Sequence, residues 1–200
     1  MLKVILASKS PRRSQILKEF GYKFSVVTVQ TSEIFDENLS LNDALCEISK
    51  TKVQAYLDVT DKSTIPNTLI IGCDTIVCNK GQVLGKPSDE NQARVFLQDL
   101  SNSYHEVKTS MSLFSTQSNE WLHFVNTSKV QMKTLSDKVI TEYIASGEPM
   151  DKAGAYAIQG LGAELVLSHE GSWHNIVGLP IEEFQKQLKI KGWNLERIEK

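Results

Sequence analysis

The chain has 200 residues, 24 acidic against 22 basic side chains, a formal net charge of −2 and 40% hydrophobic residues. That length supports one sizeable domain, or two lobes sharing a cleft, without a disulfide or metal staple. No stretch approaches the roughly 20 apolar residues of a membrane span, and the charge balance argues against the concentrated basic face with which proteins displace counterions from nucleic acid.

Leu2–Ala7 reads as an apolar strand running into a Ser-Pro turn, without the basic and long apolar regions of a secretory signal, so a cytoplasmic location is expected. Ser10 is placed to cap a helix with Pro11 at its first position, Ile16, Leu17 and Phe20 on its buried stripe and Gly21 at its end. Phe24–Val29 reads as a second strand, and a polar loop carrying Glu33 leads to a helix over Leu41–Leu57 with Leu41, Leu45, Ile48, Ala55 and Tyr56 inward. Lys52 falls on that stripe. Thr68–Val77 is a nearly continuous apolar run broken by Asp74, as in a buried strand, and Asn79–Gln82 reads as a turn. Ser88 is the expected cap of a helix with Ala93, Phe96, Leu97 and Leu100 inward. The period-two alternation of Val107–Leu113 and Trp121–Gln131 predicts an antiparallel hairpin, hence a mixed sheet. Ser136 caps a further helix with Val139, Ile140, Tyr143 and Ile144 inward and Gly147 at its end. A polar loop over residues 148–162, a short strand over Leu165–Leu167 and a helix from Pro180 to Leu188 complete the chain, leaving open whether the tail from Ile190 packs or frays. Cys46, Cys73 and Cys78 are odd in number and match no zinc spacing, which points to reduced thiols.

Three places could carry chemistry. The segment Ser8-Lys9-Ser10-Pro11-Arg12-Arg13 delivers two hydroxyls, the N–H groups of a helix start and two guanidinium groups, a combination suited to a phosphate; its alternative reading is a solvated helix start. Lys52 either snorkels to solvent or pairs with an anion. Asp74, inside a buried strand, needs a cation, hydrogen bonds or a metal, and a structural salt bridge would equally serve. Gly81-Gln82-Val83-Leu84-Gly85-Lys86 resembles a phosphate loop, but it is too short and Pro87 stands where a magnesium-binding hydroxyl belongs. His105, His123, His169 and His174 show no paired metal-ligand spacing, and no nucleophile-elbow motif occurs.

Taken in order, Leu6-Ala7-Ser8 with Ser10-Pro11-Arg12-Arg13, Glu33, Lys52, Gly72 with Asp74-Thr75, Gly85-Lys86-Pro87, His105 with Val107 and Thr109, Gly147-Glu148-Pro149, Asp151-Lys152-Ala153-Gly154-Ala155-Tyr156, Ile158-Gln159-Gly160 and Gly178-Leu179-Pro180 resemble the Maf, or septum-formation-inhibitor-like, nucleotide pyrophosphatases over nearly the whole chain. The resemblance implies a single Maf-like α/β domain over residues 1–200, a mixed twisted sheet with flanking helices in an elongated, two-lobed, ITPase-like fold with a central cleft. It implies hydrolysis of a nucleoside triphosphate to its monophosphate and pyrophosphate, assisted by Mg2+ or Mn2+. Asp74 would be general base and metal partner, with Glu33 as second carboxylate for metal or water. Ser8, Arg13, Lys52, Lys86 and Lys152 match phosphate-binding positions. Arg12, Thr75 and Gln159 resemble the branch acting on dTTP and UTP; the sister branch acting on 7-methyl-GTP carries Trp, Gln and Glu there. An amide and a hydroxyl suit a uracil or thymine edge, whereas an aromatic and a carboxylate suit a cationic methylated guanine. The family's name also suggests a rival, a nucleotide-binding division regulator that needs no turnover. Ser32 in place of an Asp removes a carboxylate beside Glu33, and Ala157 in place of a Gly adds a methyl group beside the base-reading segment. The expected partner is the nucleotide, with neither nucleic acid nor membrane, and a homodimer is the oligomer to expect because closed two-fold assemblies are the commonest.

Overall fold

The computed structural model describes residues 1–32 and 34–198; Glu33 lies outside the described residues. In chain order the elements are β1 (Lys3–Ala7), α1 (Pro11–Glu19), β2 (Ser25–Val27), α2 (Leu41–Asp58), β3 (Thr68–Asn79), β4 (Gln82–Leu84), α3 (Glu90–Leu100), β5 (Tyr104–Ser115), β6 (Glu120–Met132), α4 (Asp137–Ala145), β7 (Val166–Glu170), α5 (Trp173–Val177) and α6 (Ile181–Lys191). The strands follow the order β2-β1-β3-β5-β6-β7, with β4 beside β3. β1 is parallel to both β2 and β3, whereas β4 is antiparallel to β3 and β7 to β6, so the sheet is mixed as the alternation patterns predict.

Two compact units partition the chain, one of Met1–Asp74, Thr109–Asn126 and Gly178–Lys200, the other of Thr75–Lys108 and Thr127–Val177. In the first, Val53 and Leu57 of α2 bury with Ile70 of β3 and Phe114 of β5. α2 lies so close to β3 that a Cβ on Gly72 would stand 2.2 Å from the Ser49 carbonyl oxygen and 2.8 Å from a Val53 methyl. Only glycine fits there. The tail packs through Ile198: the Leu2 amide donates to Asn194 O at 2.7 Å, the Glu196 amide to Leu2 O at 2.9 Å, and Trp193 and Leu195 are buried. The Arg197 guanidinium stacks 3.7 Å from the Tyr22 ring centroid. In the second unit, Leu97 and Leu100 of α3 and Ile140 and Ile144 of α4 bury with Val107, Val130 and Met132 of the sheet.

Several local expectations shift. β2 contracts to three residues with Val26 half exposed, as suits an edge strand. The cap of α3 is Asp89, whose carboxylate accepts the Gln92 amide at 2.8 Å, while the Gln92 side chain returns to the Ser88 amide. Ser10 makes no side-chain cap bond on α1; its own amide donates to Ser8 Oγ. Val139 is exposed because Ile140, Tyr143 and Ile144, spaced three and four apart, already fill the buried stripe of α4. Residues 148–165 fold into three short 3-10 turns rather than an open loop, and α5 is too short for its periodicity to register.

Candidate active site

The parallel register sets Ala7 opposite Gly72, so Ser8 and Cys73 stand one step beyond the last paired residues, at the carboxyl end of β1. That edge of a parallel pair is where open α/β sheets bind ligands. Side chains alternate along a strand, so Ile70, Gly72 and Asp74 share the face of β3 that packs on α2. Because Gly72 admits the α2 backbone so closely, Lys52, next to Val53, reaches along this face. Its Nζ lies 2.5 Å from Asp74 Oδ1 and also donates to Cys73 O at 3.3 Å. Both residues are buried. Of the two readings of Lys52, the paired one holds; the snorkelling one does not.

Arg13 is likewise buried, on the first turn of α1. Its Nε donates to Gly178 O at 2.8 Å, and its Nη1 donates to Ser8 Oγ at 3.0 Å and to Cys73 O at 2.9 Å. One guanidinium thus joins the end of β1, the middle of β3 and the start of the 178–180 segment. Burial pushes the Cys73 thiol up to about 11, so this cysteine stays protonated and serves through its carbonyl, which both Arg13 and Lys52 share. Arg12, its neighbour on α1, is half-buried. Ser8, Arg13, Lys52 and Asp74 are therefore brought together; neither carbonyl partner of Arg13, at Cys73 and Gly178, announces itself in sequence, since any residue supplies one.

In the second unit, Thr75 follows Asp74 and is half-buried, while Lys86 and Gln159 are exposed. The loop of Lys86 is tied to that of Lys152 by the Gly154 amide, which donates to Gly85 O at 3.0 Å. Lys152 Nζ pairs with the Asp151 carboxylate and donates to Glu148 O at 3.4 Å. Nearby, His105 Nε2 and the Tyr156 hydroxyl are 2.6 Å apart, and His105 Nδ1 has no hydrogen-bond partner among the described residues. Burial pushes the His105 imidazole down to about 4 and the Tyr156 phenol upward. Among the described residues no group of three or more His, Cys, Asp or Glu side chains could hold a metal by itself.

Fold and site together define an α/β protein with cations and a hydroxyl gathered around one buried carboxylate at the end of a parallel strand pair, a disposition suited to an anionic ligand. A family model described as Maf-like protein matches residues 3–190, and this chain belongs to the Maf family. It is 42% identical to the dTTP/UTP pyrophosphatase of Bdellovibrio bacteriovorus over 90% of this chain and 93% of that one. It is 40% identical to the dTTP/UTP pyrophosphatase of Caldicellulosiruptor saccharolyticus over the full length of both, and 41% identical to that of Acetivibrio thermocellus over 96% of each. A looser likeness, TM-score 0.42 at 11% identity over 96% of this chain and 95% of the other, is to the nucleoside-triphosphatase/dITP/XTP pyrophosphatase of Mycobacterium abscessus.

Proposed function

We propose that this protein is a nucleoside triphosphate pyrophosphatase that hydrolyses dTTP and UTP to the monophosphate and pyrophosphate. The observation that carries the reading is the buried Lys52–Asp74 pair beside Ser8, on a chain about 40% identical over its full length to proteins bearing that name. Binding alone needs cations; a buried carboxylate among them is what proton transfer needs.

A water aimed at the α-phosphorus attacks as its proton passes to an Asp74 Oδ; the bond from phosphorus to the bridging oxygen breaks and pyrophosphate leaves in line. No covalent intermediate is required. Lys52, Ser8, Lys86 and Lys152 bind phosphate oxygens, while Arg13 braces the Ser8 hydroxyl and the Cys73 carbonyl. The donor set fits a magnesium-like ion, which takes one or two protein carboxylates and completes its shell with substrate phosphates and water. Asp74 and Glu33 would hold it. Such an ion supplies charge neutralisation at the phosphates and acidifies bound water. Arg12, Thr75 and Gln159 read the base. We place the enzyme in the cytoplasm, where Cys73 and Cys78, both buried free thiols, stay reduced, and expect a homodimer.

The test is pyrophosphate release from dTTP, UTP, CTP, 7-methyl-GTP, ITP and the common purine triphosphates with Mg2+ or Mn2+, by wild type and Asp74→Asn. The expected result is dTTP and UTP leading and the variant at least ~100-fold slower with nucleotide binding kept. Leadership by 7-methyl-GTP would overturn the base assignment, and absence of turnover with either metal would leave the regulator reading in its place.

A further inference from the structure

The exposed Gln159 sits in a segment whose backbone is anchored on both sides by two side chains that have no contact with phosphate in the mechanism above. On its amino side, the Ala157 amide donates to the Tyr143 hydroxyl oxygen at 3.3 Å. On its carboxyl side, the Leu161 amide donates to Glu148 Oε2 at 3.0 Å and the Gly162 amide to Glu148 Oε1 at 2.9 Å. The two anchors are themselves joined, since the Tyr143 hydroxyl donates to Glu148 Oε1 at 3.0 Å. The phenol thus accepts from one amide and donates to the carboxylate that accepts from two more.

The chain is shaped to receive this carboxylate. Gly160 has φ +69°, and a Cβ there would stand 2.7 Å from Glu148 Oε2; a Cβ on Gly162 would stand 2.3 Å from Ala157 O and 2.6 Å from the Tyr143 hydroxyl. Any side chain at either glycine displaces the anchors. Although partial burial opposes it, the Gly162 and Leu161 amides, the Tyr143 hydroxyl and Lys152 together hold the Glu148 carboxyl below the usual range, and burial followed by the Glu148 contact pushes the Tyr143 phenol upward. Near neutral pH, therefore, the pair is a carboxylate and a neutral phenol, the forms that these bonds require.

We propose that Glu148 and Tyr143 form a clamp that fixes the position of Gln159 and so sets the choice of pyrimidine base. The inference rests on the assignment of Gln159 to base reading. A glutamine amide offers a donor and an acceptor, and its reach and register against the edge of a base are set by where its backbone is held. Gln159 is exposed, and the clamp secures its backbone at residues 157, 161 and 162. Glu148 and Tyr143 are positioning residues and touch no reacting atom.

The experiment measures kcat and KM for UTP and CTP, and Kd for UMP and CMP, in wild type, Tyr143→Phe, Glu148→Gln, Gln159→Ala and Tyr143→Phe/Gln159→Ala. Tyr143→Phe and Glu148→Gln are each expected to reduce the preference for uracil about 10-fold, through KM and Kd, with kcat for UTP held within about 3-fold. The double variant is expected to be no less selective than Gln159→Ala, because the clamp acts through that side chain. Preference lost in Gln159→Ala but intact in Tyr143→Phe and Glu148→Gln would overturn the clamp and leave base reading standing. Preference intact in Gln159→Ala would instead overturn the base-reading assignment, and the clamp's role in selectivity with it. Should Glu148→Gln fail to fold, Tyr143→Phe, which removes a single hydroxyl, decides alone; UMP and CMP binding gives the answer even without turnover.

Discussion

Lys52 and Asp74 are both nearly withdrawn from water, with side chains 10% and 12% exposed, so each neutralises a charge the interior could not hold by itself. Lys52→Met is expected to cost about 3–5 kcal/mol in urea unfolding, since it strands a buried carboxylate, and Lys52→Met/Asp74→Asn should recover a good part of that while remaining inactive. An unfolding midpoint for Lys52→Met equal to wild type would show the pair to be solvated and replaceable. His105 makes the opposite case, a buried group kept neutral. Its imidazole protonates only near pH 4 in the fold, against 6.5 for the free side chain. Between those values the unfolded chain binds the extra proton, so stability falls as pH drops from about 6.5 to about 4 and levels off below. The contribution of this residue is on the order of 3 kcal/mol. A His105→Gln variant, weaker at pH 7 for want of the Tyr156 contact, should show a visibly shallower acid limb in melts taken across that window. An acid limb as steep as wild type would assign the loss to other groups.

Gly72 is the point where helix and strand contact decides the site. Gly72→Ala forces its methyl onto the Ser49 carbonyl and Val53, and because backbone stands in the way α2 must back away from β3. The expected loss is about 3 kcal/mol, toward the upper end for overpacking, together with a fall in kcat as Lys52 withdraws from Asp74. Unchanged kcat in a destabilised Gly72→Ala protein would mean that Lys52 does not depend on this approach. Part of that geometry is legible in sequence. The stripe Leu45, Ile48, Lys52 puts a lysine on the buried face of α2, and the apolar run through Asp74 puts a carboxylate in a buried strand. That the two meet is not legible, because it depends on how deeply one helix settles on one strand, 22 residues away in the chain. The same limit applies to α3, where Ser88 and Asp89 are both good caps and the Gln92 amide, donating to the Asp89 carboxylate, selects Asp89. Residues 148–162 read as a polar loop because short 3-10 turns have no amphipathic period to detect.

Across the whole molecule, residues 193–198 close the first unit rather than trailing from it. Trp193 and Leu195 are 9% and 5% exposed, and their backbone neighbours bond to Leu2, just before β1. Removal of residues 193–200 takes away two buried apolar side chains worth about 2 kcal/mol each and is expected to lower Tm by on the order of 10 °C. A melt unchanged by truncation would show that the contact to Leu2 adds nothing. No described helix is long and apolar enough to cross a membrane. The amino-acid sequence by itself determined the alternation of strand and helix, the mixed sheet and the family, and it singled out Ser8, Arg13, Lys52 and Asp74 as candidates, because each is written in local periodicity, in capping residues or in short ordered motifs. The tertiary structure alone decided that Lys52 pairs with Asp74, that Arg13 donates to Ser8 and two backbone carbonyls, and that Glu148 and Tyr143 hold the segment carrying Gln159. Those contacts join residues distant in sequence through backbone groups that every residue possesses, so only the folded arrangement selects which of them meet.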